Sequence, residues 1–361
     1  SELILASGKN ITSTITTADN GKGILTLFGG TQTVTGQVGT GGVGGLSLAE
    51  VNAGMNGATS TFASDVYATN LEVEGTGTVN LGGDFTGTAI RYNADGTVIV
   101  ATGNDVNSAI INNTGIDSQG TLTLNGSSTV TGQVGASGAS LKAINAGANS
   151  STSTFNSDVY VTNLNVTGSG TVILNSDLTG NVVTTGNQGI LTTTGATQTI
   201  TGNVGSLSSS VNTLNVGSNT DATNYSTTTI NGNVFATSTV LNNNGTTNSS
   251  ELILASGKNI TSTITTADAN MGILTLAGGT QTVTGQVGTG GLSLEKVSSG
   301  ANSSTSTFVN DVYANTVENI GNGTTTFQDN VVATNVNVNA GTSTFQDNLT
   351  ATTTTISTGT G

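Results

Sequence analysis

The sequence of 361 residues contains no cysteine, no histidine, no proline and no tryptophan. Without cysteine there is no disulfide framework and no thiolate metal site, so packing and hydrogen bonds must supply the stability. Without histidine the chain lacks the commonest general base, proton shuttle and metal ligand. Charge is also scarce, at 7% of residues, with 6 Lys and Arg against 20 Asp and Glu, a net charge of −14. The six cations (Lys9, Lys22, Arg91, Lys142, Lys258 and Lys296) are scattered along the chain. Nucleic-acid binding needs clustered cations to neutralise phosphates, and is excluded on this ground. Long hydrophobic runs are missing as well. The longest, such as Leu3-Ile4-Leu5-Ala6 and Val98-Ile99-Val100-Ala101, are of strand length. A membrane helix needs roughly 18–20 apolar residues, so no span is expected in this chain. No signal peptide is read at the N-terminus, and the chain begins inside a repeat, as expected of a mature piece or fragment.

What is abundant is Gly (52 residues), together with Thr, Val, Ile and Asn. β-Branched residues fit a pleated sheet, and no window of helix formers at 3.6 spacing interrupts them. Residues 1–42 return almost unchanged at 250–291, and SELILASGKNITSTITTAD is identical at 1–19 and 250–268. A shorter element, T-[VI]-T-G-x-V-G, occurs at 33–39, 129–135, 199–205 and 282–288. A third recurs around STSTFNSDVYVTNLNV (151–166), with relatives at 59–73, 226–240 and 304–317. Near the C-terminus GTTTFQDNVVATNVNV (323–338) is followed by GTSTFQDNLTATTTTI (341–356), so that Phe345 repeats Phe327 at the shortest period in the chain.

A unit this short buries no core alone, whereas stacked copies do. The reading is an all-β, elongated parallel β-helix (β-solenoid) with coils of about 18–20 residues. It runs as one continuous solenoid over 1–361, with internal modules at approximately 1–96, 97–183, 184–249 and 250–361. In Thr76–Leu81 the period of two turns Val79 and Leu81 inward and Thr78 and Asn80 outward. TVTGQVG reads as one side of a coil, with Val34 and Val38 inward and a bend at Gly36. Proline would remove a ladder hydrogen bond from almost any strand of a coil paired on both sides, so its absence fits.

Few residues offer chemistry. Asp65, Asp158 and Asp311 each follow an aromatic by three residues and are the candidates for a calcium site, since calcium takes oxygen ligands. The equivalent positions are Asn233, Asn330 and Asn348, so the six are read as structural turn positions where a short side chain bonds its own backbone. No metal and no cofactor is expected. Glu72 and Glu74 share a strand face as a carboxylate pair, but they read as a solvated outer pair, and Arg91 is the only arginine. Catalysis is not expected. Tyr67, Tyr160, Phe235 and Tyr313 hold one repeat position and read as a structural column at the core or its rim.

The elements TVTGQVG (33–39), LAEVNAG (48–54) and GTGTVNL (75–81), with TVTGQVG (129–135), LKAINAG (141–147) and GSGTVIL (168–174), resemble those of rickettsial outer membrane protein B-like surface-cell-antigen autotransporter passengers. The resemblance implies a passenger exported by a C-terminal membrane β-barrel and displayed extracellularly on the bacterial cell surface. There it would contribute to the surface coat and to adhesion to host cells. The barrel itself is missing here, and TTTTISTGTG (352–361) does not look like a membrane strand. Expected binding loops are 39–46 and 86–118. The alternative is a self-assembling extracellular subunit, a surface layer or filament built by end-to-end or lateral contacts. The expected partners are accordingly other copies of the chain or a host-cell surface.

Overall fold

A computed structural model describes residues 1–42, 44–218, 225–243 and 248–357. Every regular element in them is a β-strand, and the ladders are parallel, so the chain is a β-solenoid. Two compact units are distinguished, Ser1–Ile173 and Leu174–Gly361.

In the first unit, Thr31–Val34, Thr59–Phe62, Thr78–Leu81, Thr97–Val100 and Thr121–Leu124 lie one on the next in unbroken register. Longer strands complete each coil. Val66–Val73 pairs with Phe85–Tyr92 through Val66 and Tyr67, then again from Asn70, because the strand bends in between. A coil therefore has three strand-forming sides. At the bend two successive residues, Thr69 and Asn70, face outward, so the alternation of inward and outward residues is interrupted there and resumes at Leu71.

The second unit repeats this plan. Thr280–Val283, Thr305–Phe308, Thr324–Phe327 and Thr342–Phe345 form one side, and Val312–Asn319, Val331–Val338 and Leu349–Ile356 supply the bent strands.

The expected coil length holds for the simple coils only. Thr59, Thr78 and Thr97 are successive partners at that spacing, and so are Phe308, Phe327 and Phe345. Coils that carry T-[VI]-T-G-x-V-G are longer, with Thr31 paired to Thr59 and Thr197 to Thr227. The segment 86–118, expected as an irregular loop, is mostly regular: it contains most of Phe85–Tyr92, all of Thr97–Val100 and all of Val106–Asn112.

The core is a column of Val, Leu, Ile and Phe, including Val34, Val38, Leu81, Ile90 and Phe62, all essentially inaccessible. Burying each such side chain stabilises by roughly 1.5–3 kcal/mol. Not every inward residue is apolar, however. Gln32, Ser60, Ser153, Thr228, Gln281 and Ser306 are fully buried on inward positions. Their polar atoms find partners. Gln281 receives the Gly278 N–H at 2.8 Å and donates to the Ala255 carbonyl at 2.9 Å. Ser60 and Ser153 accept the N–H groups of Gly54 and Gly147. A buried polar group is tolerated on those terms.

Candidate functional site

The recurrent T-[VI]-T-G-x-V-G element builds the most distinctive surface of the chain. Its two glycines have different causes. A side chain at Gly36, Gly132, Gly202 or Gly285 would run into the backbone of the preceding coil, at Ser13, Ser108, Gly180 and Ser262 respectively. Gly39, Gly135, Gly205 and Gly288 instead adopt positive φ, between 65° and 71°, a conformation that glycine adopts without strain. A side chain there would meet the carbonyl of Tyr67, Tyr160, Phe235 or Tyr313 in the following coil. The glutamine between them folds back, so that Gln37, Gln133 and Gln286 donate to the carbonyls of Gly39, Gly135 and Gly288 at 2.8–3.0 Å.

The aromatic of the following coil is locked by two ladder bonds. Val38 donates to the Asp65 carbonyl and Tyr67 to the Val38 carbonyl; Val287, Asp311 and Tyr313 repeat the pattern. The expected column of these aromatics does not form. Among the described residues the stacked rings are Phe308, Phe327 and Phe345, with centroids 5.0 Å apart at each step. Tyr67 and Tyr313 each line a groove instead.

The two grooves have the same construction. The first, of about 390 Å³, includes Asn20, Thr40, Gly41, Ser47, Tyr67 and Thr88. The second, of about 170 Å³, includes Asn270, Thr289, Gly290, Ser293, Tyr313 and Thr334. On each rim a serine hydroxyl bonds an asparagine side chain, Ser47 to Asn20 at 2.7 Å and Ser293 to Asn270 at 2.9 Å. The rim pair recurs as Ser140–Asp117 and Ser210–Asn187. Each phenol donates to a carboxylate, Tyr67 to Asp65 at 3.2 Å and Tyr313 to Asp311 at 3.3 Å. Burial, then the adjacent carboxylate, pushes both phenols above their ordinary pKa. The grooves therefore present a neutral aromatic edged by hydroxyls, amides and backbone, a surface suited to an uncharged polar ligand.

The six turn positions lie at corners between strands, where the chain passes from one side of a coil to the next. Where their side-chain bonds are seen, they reach a neighbouring coil, and Asn330 and Asn348 also donate to the adjoining Asp329 and Asp347 of their own turns, at 3.0 and 2.8 Å. Asp65 accepts the backbone N–H of Asp84, Asp84 that of Asp105, and Asp105 that of Thr129, at 2.7–3.0 Å. In the second unit Asn181, Asn203, Asn233 and Asn259 form an equivalent chain ending at Thr282. Further along, Asn330 donates its amide to Asp311, and Asn348 donates to Asn330. Asp158 gives its carbonyl to Val134. Among the described residues no three acids gather at metal-ligand spacing.

Glu72 and Glu74 are held together in the first unit. The Asn93 amide donates to both, at 3.0 and 3.1 Å. Arg91 approaches Glu72 at 3.8 Å, and its Nε has no hydrogen-bond partner. Glu72 is buried rather than solvated, and desolvation raises its pKa against the opposing effects of Asn93 and Arg91. Neither tyrosine groove includes this pair.

Comparison with protein-family models, with curated proteins and with solved structures finds no match. Among the described residues no helix is long and apolar enough to cross a membrane. Sequence reasoning missed the grooves because their parts lie on successive coils. The available signal was the recurrence of Ser47 and Tyr67 as Ser293 and Tyr313, each set with an asparagine that differs by one repeat position, Asn20 and Asn270.

Proposed function

We propose that the chain is a non-enzymatic bacterial cell-surface β-solenoid, a displayed passenger that contributes to a surface coat and to adhesion. The observation that carries this reading is the tyrosine groove, built twice around equivalent Thr, Gly, Ser and Tyr positions on a scaffold poor in reactive side chains. Repetition of a weak site along one chain raises avidity without any new contact. The aromatic face and its hydroxyl and amide rim favour neutral glycans on a host-cell surface over anionic partners, which the net charge of −14 would repel. Export and attachment through a C-terminal β-barrel belong to the same reading and rest on the motif resemblance.

The test compares the chain with a Tyr67→Ala/Tyr313→Ala variant for binding to a glycan array and to cultured host cells. Binding of the parent chain, with at least a tenfold loss in the variant at unchanged circular dichroism, supports the reading. Absence of binding by the parent chain, or equal binding by both, removes the grooves from it.

A further inference from the structure

The two tyrosine grooves share a rim and an aromatic, and differ in the wall supplied by the next coil. Tyr67 has Thr86 as its ladder partner on that coil, and Tyr313 has Val332. Gly87 and Thr88 continue this wall in the first groove, Ala333 and Thr334 in the second. Two residues after each tyrosine, Thr69 and Asn315 complete the lining. The first groove thus presents threonine hydroxyls where the second presents an amide beside two apolar side chains. Val332 is 39% exposed, although a threonine would suit the strand equally well. Among the described residues no charged side chain lines either groove.

The Thr69 hydroxyl and the Asn315 amide are both left free by the preceding coil. In the second copy of the repeat this is not so. There Thr162, two residues after Tyr160, donates its hydroxyl to Ser118 at 2.9 Å, and Ser118 has a positive φ of 64°. In the first copy Gly21 holds the place of Ser118, at φ 66°, and offers no hydroxyl. A side chain added at Gly21 would begin 3.9 Å from the Thr69 hydroxyl. In the fourth copy Asn270 holds that place, at φ 62°, and its side-chain oxygen is taken by Ser293 instead. Among the described residues neither Thr69 nor Asn315 has a side-chain hydrogen-bond partner.

We propose that the two grooves take different neutral sugars, the Tyr313 groove a 2-acetamido sugar (an N-acetylhexosamine) and the Tyr67 groove an unsubstituted hexose. The inference rests on the glycan reading above and assigns a sugar class to each groove. An acetamido group carries one N–H, one carbonyl and one methyl. The Asn315 amide has both a carbonyl oxygen and N–H donors, so it matches the two polar ends of that group. Val332 and Ala333 cover the methyl, and the Tyr313 ring takes the C–H face of the sugar. The Tyr313 groove is also the smaller, about 170 Å³ against about 390 Å³, as suits a site that grips a substituent. In the Tyr67 groove Thr86 stands where the methyl would lie, and its hydroxyl would lose water without gaining a partner. A ring hydroxyl gives Thr69, Thr86 and Thr88 the partner they lack.

The experiment uses residues 1–361 and the single variants Tyr67→Ala and Tyr313→Ala, each of which leaves one groove. The probes are the methyl glycosides of glucose and galactose and of their 2-acetamido forms, titrated by ligand-observed NMR. Tyr67→Ala is expected to bind the acetamido glycosides about tenfold more tightly than the unsubstituted ones, the lower range for a small apolar group in a fitted site. Tyr313→Ala is expected to show the opposite preference. Adding Asn315→Thr and Val332→Thr to Tyr67→Ala gives the remaining groove the residues of the first, and is expected to abolish its acetamido preference at unchanged circular dichroism. The same sugar preference in both single variants overturns the inference. So does a single variant that binds none of the glycosides, or an acetamido preference that survives the Asn315→Thr/Val332→Thr change. A parent chain that binds none of these glycosides and nothing on the glycan array overturns the glycan reading itself, whereas glycans bound without a difference between the grooves overturn the inference alone.

Discussion

The side-chain carbonyl of Asn233 takes the backbone N–H of Asn259 at 2.8 Å, one coil further along, and Asn259 does the same for Thr282. A corner that looks like a local turn is thus a longitudinal tie between coils. Asn233→Ala leaves that N–H without its acceptor and is expected to destabilise by about 1–2 kcal/mol. Asn233→Asp keeps an acceptor oxygen, as Asp65 and Asp84 do in the first unit, and is expected to be close to neutral above the carboxylate pKa. Thermal unfolding of both variants at neutral pH checks the pair.

Glycines within one repeat differ sharply in what they tolerate. A side chain at Gly285 would overlap the Ser262 backbone, whereas Gly291 has open space and no positive φ. Gly285→Ala is expected to destabilise by about 3 kcal/mol, the upper range for overpacking without a flexible neighbour. Gly291→Ala is expected within about 0.5 kcal/mol of the parent, as surface changes usually are. Chemical denaturation of the two variants side by side tests the difference.

Much of the fold is legible in the sequence because the period-2 pattern and the repeat are local signals. Val79 and Leu81 are buried, with Thr78 and Asn80 facing outward, as the alternation requires. Longitudinal relations are less visible. Nothing within TVTGQVG says that Gly36 lies against the Ser13 backbone of the coil before it. Buried polar positions such as Gln32 and Ser60 are hidden for the same reason, since their partners are backbone groups fixed only by the fold. The expectation of a loop at 86–118 reflects a variation in spacing that the strands absorb, because the irregular residues fall in short turns between them, at 93–96, 101–105 and 113–120. There Tyr92 is buried in the core and donates to the Thr121 carbonyl at 2.7 Å.

The Phe308–Phe327–Phe345 stack predicts graded effects along the second unit. Phe327 has a ring on each side, with interplanar angles of 12° and 7°. Phe327→Ala removes both contacts and opens a cavity, at an expected cost of about 3–5 kcal/mol. In a stacked array such a loss acts first on the adjoining coils. Hydrogen exchange is expected to show faster opening of Thr305–Phe308 and Thr342–Phe345 than of Thr227–Ile230 in the variant. Uniform acceleration across the unit would instead mean that it opens as one cooperative block.

Two ionisable groups pull the pH dependence in opposite directions. Burial raises the Glu72 pKa, so the folded chain holds this proton more tightly than the unfolded chain. Stability from this group therefore falls as pH rises through the window between the ordinary glutamate value and the raised one. Asp95 is the reverse case. The hydrogen bond from Lys142, 2.7 Å long, holds its pKa below the ordinary value. Its contribution is present above the unfolded pKa and is lost as pH falls through the depressed folded one. Glu72→Gln is expected to remove the decline on the rising side, and Lys142→Met to weaken the decline on the acid side. Melting temperatures of the parent and both variants from about pH 3 to pH 7 check both signs. A Glu72→Gln profile parallel to that of the parent would show that Asn93 and Arg91 offset the desolvation of this carboxylate in full.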